Sequence, residues 1–141
     1  MVAINFTQYD TNGNRTGIGI STGAHNRLTS DATFTYLYDN EGNLIRKTAK
    51  VGTNSTDYTY DHRNRLTRVV HVGPLALDDA YDVSYTYDAD DRLVSREWHY
   101  NPGNPQNVDS LQMEHFLYQG TERVLTFDGE NNQLKHRTLW G

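Results

Sequence analysis

The stretch Tyr60-Asp61-His62-Arg63-Asn64-Arg65-Leu66 recurs, at the same internal spacing, as Tyr38-Asp39-Asn40-Glu41-Gly42-Asn43-Leu44 and as Tyr87-Asp88-Ala89-Asp90-Asp91-Arg92-Leu93. Each copy has Tyr-Asp first and a Gly, Asn or Asp four positions after the Tyr. An Arg often follows, and an aliphatic residue closes the motif six positions after the Tyr. Self-similarity of this kind marks an array of one supersecondary unit. Asp opens a tight turn because its carboxylate accepts backbone N–H groups two residues on, and the fourth turn residue needs positive φ. Gly supplies that freely, and Asn and Asp tolerate it best among the rest. The unit is therefore a β-hairpin with a three-residue loop and a G1-type bulge.

Weaker copies flank these three. Tyr9-Asp10-Thr11-Asn12-Gly13 has Arg15 at the aliphatic position, and Thr22-Gly23-Ala24-His25-Asn26-Arg27-Leu28 has lost its Tyr-Asp. Tyr118-Gln119-Gly120-Thr121-Glu122-Arg123-Val124 keeps only the frame, with Glu122 in a slot it suits poorly. Phe127-Asp128 through Leu134 reads as a last copy whose turn is one residue longer. Positive φ is expected at Gly13, Asn26, Gly42, Asn64 and Asp91. The loop length sets Tyr38 opposite Leu44, Tyr60 opposite Leu66 and Tyr87 opposite Leu93. Two-residue alternation then puts Tyr36, Tyr58 and Tyr85 on the same face, with Tyr36 opposite Arg46 and Tyr58 opposite Arg68. The other face pairs Leu37 with Ile45, Thr59 with Thr67 and Thr86 with Val94. The tyrosine face is expected to be the packed one.

Composition agrees with an all-β chain of consecutive antiparallel hairpins forming a twisted or spiral sheet, with little or no helix. The 141 residues include 10 Tyr, and Thr, Asn, Asp and Gly are abundant, while Ala and Glu are scarce. Exchanging Tyr for Gly in the apolar count leaves roughly 36 %, below the ~45–50 % usual for globular domains. Copies are unevenly spaced, so the turns are fixed and the return connections vary. Gly52-Thr53-Asn54-Ser55, Gly73-Pro74 and Asn101-Pro102-Gly103-Asn104-Pro105 mark those returns. The longest strands are expected near residues 81–87 and 94–100, and residues 109–116 are the one place for a turn or two of helix. Residues 1–141 read as a single repeat segment, part of a larger array.

The net charge is −5, with 13 basic residues scattered singly among 18 acidic ones. That distribution argues against a nucleic-acid surface. No cysteine is present, which excludes disulfides and thiolate metal sites. No apolar run approaches a membrane span, and Met1-Val2-Ala3-Ile4-Asn5 lacks the pattern of an export signal, so any such signal lies elsewhere.

The motif resembles the YD repeats of the RHS, Tc-toxin C-component and teneurin group, whose signature is similar to Tyr-Asp-x-x-Gly/Asn-Arg-Leu. The residues that carry the resemblance run from Tyr9, Asp10 and Gly13 through Asn26, Arg27 and Leu28 to Tyr38, Asp39, Gly42 and Leu44. They continue with Tyr60, Asp61, Asn64, Arg65 and Leu66, then Tyr87, Asp88, Asp91, Arg92 and Leu93, and end with Tyr118, Arg123 and Val124. The resemblance extends to Gly141, where residues 134–141 are similar to the approach to the segment that closes such shells. It implies a long sheet spiralling into a hollow shell, a secreted or cell-surface setting, and, in toxin relatives, an enclosed polypeptide cargo. The self-cleaving aspartate motif and variable tail of such relatives are absent from this sequence. About a dozen strands are too few to seal a shell, so an open sheet with two exposed edges is expected. Such edges pair readily with other copies or with adjacent repeats of a parent chain.

Other constellations favour plain structural readings. The runs at residues 10–14, 39–43 and 88–91 resemble half calcium loops but lack the bidentate Glu, so turn chemistry is the reading taken. The six His show no metal-ligand spacing, no activated nucleophile motif appears, and no cofactor is expected. Catalysis is therefore not expected. Tyr58, Tyr60, Tyr85, Tyr87, Trp98 and Tyr100 would stack on glycan rings if they faced solvent, although packed cross-strand ladders are the preferred use. Asn5, Asn14 and Asn54 open glycosylation sequons, a frequent chance match in an Asn- and Thr-rich chain.

Overall fold

The computed structural model describes residues 8–73, 80–100 and 111–138. A first, separate hairpin joins β1 (Gln8–Tyr9) to β2 (Arg15–Thr16). Eleven strands then form one antiparallel sheet in strict sequence order. They are β3 (Ser21–Thr22), β4 (Leu28–Ser30), β5 (Phe34–Tyr38), β6 (Leu44–Ala49), β7 (Ser55–Tyr60) and β8 (Leu66–Val72). The rest are β9 (Tyr81–Tyr87), β10 (Leu93–Tyr100), β11 (Leu111–Gln119), β12 (Glu122–Asp128) and β13 (Leu134–Arg137). The sheet is not closed, because β3 and β13 each have one sheet neighbour. A 3-10 turn at Ala24–Asn26 is the one helical element among the described residues.

Three details correct the sequence reading. Residues 111–119 form the longest strand rather than a helical turn, since β11 has 9 residues against 8 in β10 and 7 in β9. Leu111, Gln112, Met113 and Glu114 favour helix intrinsically, but an open strand edge on β10 offers hydrogen bonds that override so weak a preference. Residues 109 and 110, the returns at 101–105, Pro74 and residues 139–141 lie outside the described residues.

The second correction is register. Tyr38 faces Leu44, Tyr60 faces Leu66 and Tyr87 faces Leu93, but the next pairs are Leu37 with Arg46, Thr59 with Arg68 and Thr86 with Ser95. Ile45, Thr67 and Val94 are therefore extra residues in β-bulges immediately after each turn. Consequently Tyr36 lies opposite Lys47 and Tyr58 opposite Val69, not opposite Arg46 and Arg68. The pairs expected on the second face (Leu37 with Ile45, Thr59 with Thr67, Thr86 with Val94) do not form.

The third concerns the Tyr118 hairpin, which does not keep the repeat frame. Tyr118 pairs with Arg123 and Gln119 with Glu122, leaving a two-residue loop in which Gly120 takes φ +61°. A positive φ at Glu122 is thereby avoided, and Val124 becomes the bulge residue.

The two faces differ. Thr56, Val69, Phe116 and Thr126, all buried, share the tyrosine side by register. On the opposite side Leu37 is 55 % exposed and Leu117 52 % exposed. That side is braced by cross-strand ion pairs: Arg46 donates to Asp57 on β7 at 2.8 Å, and Arg68 to Asp82 on β9 at 2.9 Å. Exposed pairs of this kind contribute little individually.

Candidate functional site

The turns of successive hairpins form a row, and each is built to one plan. The N–H of Asp10, Asp39, Asp61 and Asp88 donates to the carbonyl of the residue four later, at 2.9–3.0 Å. The carbonyl of the same Asp accepts from Gly13, Gly42, Asn64 and Asp91. Those four residues have φ of +81°, +101°, +58° and +63°. One carboxylate oxygen of each Asp accepts from backbone N–H groups inside the turn. In Asp61 these are Arg63 at 2.9 Å and Arg65 at 3.0 Å. The other oxygen accepts from the side chain four residues on: Asn14 and Asn43 through Nδ2, Arg65 and Arg92 through Nε. Each carboxylate is thus spent on closing its own turn.

Electrostatics follow the geometry. The Arg65 guanidinium holds the Asp61 carboxyl down at about 2, against the penalty of partial burial. Asp88 is likewise lowered, by the backbone N–H of Arg92 first and the Arg92 side chain after it. Between Ser30 and β5, Asp31 caps Thr33 and Phe34 and accepts the Tyr36 hydroxyl at 2.6 Å. That shared bond holds Asp31 at about 2 and pushes Tyr36 up to about 12.

The turn without Asp keeps the same outline. Thr22 faces Leu28, the Gly23 N–H donates to the Arg27 carbonyl at 2.8 Å, and both His25 and Asn26 have positive φ. The last turn has its extra residue, with Phe127 facing Leu134 and the positive φ at Asn132.

Neighbouring turns are joined by the residue that follows the positive-φ position. Asn14 donates to the Asn26 side chain at 3.1 Å, Arg27 to the Asp39 carbonyl at 3.1 Å, and Asn43 to the Asn64 side chain at 3.0 Å. Arg65 donates to the Asp88 carbonyl at 3.0 Å and to the Asp91 carboxylate at 2.8 Å. Arg92 donates to the Gly120 carbonyl at 2.8 Å. Where this residue is Arg, its guanidinium also lies over the next tyrosine: Arg27 over Tyr38, Arg65 over Tyr87 and Arg92 over Tyr118, at 5.7, 5.0 and 5.4 Å. The hydroxyls of those same tyrosines return to the preceding hairpin, donating to the carbonyls of Leu28, Leu66 and Leu93 at 2.8–2.9 Å. The Arg-Leu end of the motif therefore serves the following repeat, while Tyr-Asp serves its own turn and the preceding one.

This coupling was not readable in the sequence, although one signal was there: Asn, Arg, Asn, Arg and Arg occupy the same slot at 14, 27, 43, 65 and 92. Arg63 was also missed. It crosses to the next turn, donating to the Ala89 carbonyl and the Asp91 carboxylate. Of the aromatics considered for sugar stacking, Tyr58, Tyr60, Tyr85, Tyr87 and Trp98 are half-buried on one face, and Tyr100 is 49 % exposed. Trp98 carries Arg96 over its ring at 4.5 Å. Among the described residues, no group of three or more His, Asp or Glu side chains is placed to hold a metal ion.

The model of the teneurin YD-shell family matches residues 3–104, more than two thirds of the chain. The chain belongs to the teneurin YD-shell family. Comparison with curated proteins gives no match. The matched span ends before β11, whereas the resemblance read from the motif continues to Gly141. Strands β11, β12 and β13 carry on the same sheet without a break in order. Membership of a YD-shell family speaks for a structural role rather than a catalytic one, and for an extracellular or cell-surface protein. No helix among the described residues is long and apolar enough to cross a membrane.

Proposed function

We propose that this chain is a non-catalytic length of shell wall from an exported or cell-surface YD-repeat protein, and that it joins its neighbours through the two open edges of its sheet. The observation that carries the reading is the row of turns, in which every junction from Asn14 to Gly120 is bridged by a side chain of the preceding turn. Such a row extends by adding one hairpin at a time, which is what a wall requires. The β13 end supports the same reading. Leu134 is 52 % exposed there, beside a cavity of about 520 Å³ lined by Leu125, Phe127 and Leu134 together with Gln119, Arg137 and Thr138, a partly apolar seat for the next repeat of a parent chain. Unpaired strand edges template further pairing.

Sedimentation velocity over a concentration series tests the proposal. Oligomers that grow with concentration are expected, and a single compact monomer at every concentration would overturn edge pairing. Enclosure of a polypeptide cargo belongs to the same reading and requires the longer parent. Sugar binding by the tyrosine face has less support, because Arg65 covers the Tyr87 ring and the Tyr87 hydroxyl is already bonded. A glycan array with no hits would remove it.

A further inference from the structure

Pairing between successive hairpins stops short of the turns. It ends at Ser30 with Thr35, Arg46 with Asp57, Arg68 with Ser84 and Ser95 with His115, leaving the last residues before each turn unpaired across the junction. Three of these four gaps hold a guanidinium. In each, the Arg lies over the next tyrosine and donates to a backbone carbonyl of the next turn, while the tyrosine hydroxyl donates to the preceding Leu carbonyl.

The gap between β6 and β7 differs. Asn43 stands where the others have Arg and reaches only as far as the Asn64 side chain. Glu41 stands where the next turn has Arg63, so both positions that send a cation across the following junction send none here. No hydrogen bond joins Tyr60 to Leu44 as Tyr87 is joined to Leu66. A cavity of about 430 Å³ opens at this place, lined by Asp39, Glu41, Asn43, Tyr60, Asp61 and Asn64 among others. Among the described residues Glu41 has no ion-pair partner.

We propose that this cavity is a docking site for the arginine side chain of a partner polypeptide. The three equivalent gaps supply the template. A planar guanidinium uses one face against a tyrosine ring and its edge to donate to a backbone carbonyl of the next turn, that of the motif Asp for Arg27 and Arg65 and that of Gly120 for Arg92. Tyr60 and the Asp61 carbonyl hold the same places in the motif, and Glu41 adds a carboxylate. A lysine ammonium provides the charge without the flat face and fork, so it fits this geometry less well.

The test is a titration of the ¹⁵N-labelled full chain with the tripeptides Gly-Arg-Gly, Gly-Lys-Gly and Gly-citrulline-Gly, followed by amide shifts. Saturable shifts centred on Asn43, Tyr60 and Asn64 are expected with the arginine peptide, with affinity at least ~10-fold weaker for the lysine and citrulline peptides. In Asn43→Arg the protein's own guanidinium fills the gap, so the shifts vanish and the melting temperature rises. Should that variant fold poorly, Glu41→Arg on the exposed turn places a repelling charge at the cavity and abolishes binding. Equal binding of the lysine peptide, unchanged binding in either variant, or no shifts with the arginine peptide would overturn the proposal.

Discussion

Arg65 and Tyr87 belong to different hairpins, yet the guanidinium carbon of Arg65 sits 5.0 Å from the centre of the Tyr87 ring. The same side chain is bonded to Asp61 in its own turn and to Asp88 and Asp91 in the next. One residue thus closes a turn, crosses the gap where pairing between β8 and β9 has ended and covers the neighbouring aromatic.

Replacing Arg65 should loosen two hairpins at once. Arg65→Ala is expected to lower the melting temperature by several degrees and to raise amide exchange in both the 61–65 and 88–92 turns. Arg65→Lys should recover only part of the loss, because an ammonium cannot donate in a fork and stack together. Exchange rising in the first turn alone would show that the junction is not coupled.

Gly42 has φ +101°, and a Cβ there would meet the Arg27 guanidinium, with Nη2 2.7 Å away. Gly42→Ala therefore strains the turn and pushes Arg27 away from Tyr38. Left-handed backbone costs a non-glycine residue about 1–2 kcal/mol, and that loss in urea unfolding is expected. An Ala variant as stable as the parent would mean that the turn relaxes into another shape.

The Tyr and Leu pairs of the three clear copies were legible because a fixed loop length fixes the first pair beyond it. The further bulges beyond those pairs were not, since Ile45, Thr67 and Val94 share no distinctive side chain, and a single extra residue shifts every later pair. For the same reason Lys47, rather than the expected Arg46, lies opposite Tyr36, with its ammonium 3.8 Å from the Phe34 ring centre. The role of Arg27, Arg65 and Arg92 was hidden for a different reason. Their cross-hairpin partners lie 12 to 28 residues away, beyond the reach of local pattern.

Phe116 is among the few buried apolar side chains, at 5 % exposure, with Arg123 over its ring at 4.9 Å. Phe116→Ala should cost about 3 kcal/mol, the lower end for such a truncation, because a sheet open on one side can relax into the space. Phe116→Leu should restore most of it. Equilibrium unfolding in denaturant measures both, and a neutral Phe116→Ala would show that the tyrosine face is not where stability resides.

Acid should unfold the chain in a defined window. Asp31 and Asp61 are held at about 2, so each binds its proton less readily when folded than when unfolded. Their contribution is complete above the unfolded carboxylate value of about 4 and is lost as pH falls through about 2. Removing the hydroxyl that Asp31 accepts, in Tyr36→Phe, raises the folded value of Asp31 and weakens that preference. The variant should lose stability at neutral pH and show a flatter dependence between pH 4 and 2. Circular dichroism melts across that range measure the slope. A variant with the parent's slope would mean that the Tyr36 to Asp31 bond does not set the carboxylate's affinity for its proton.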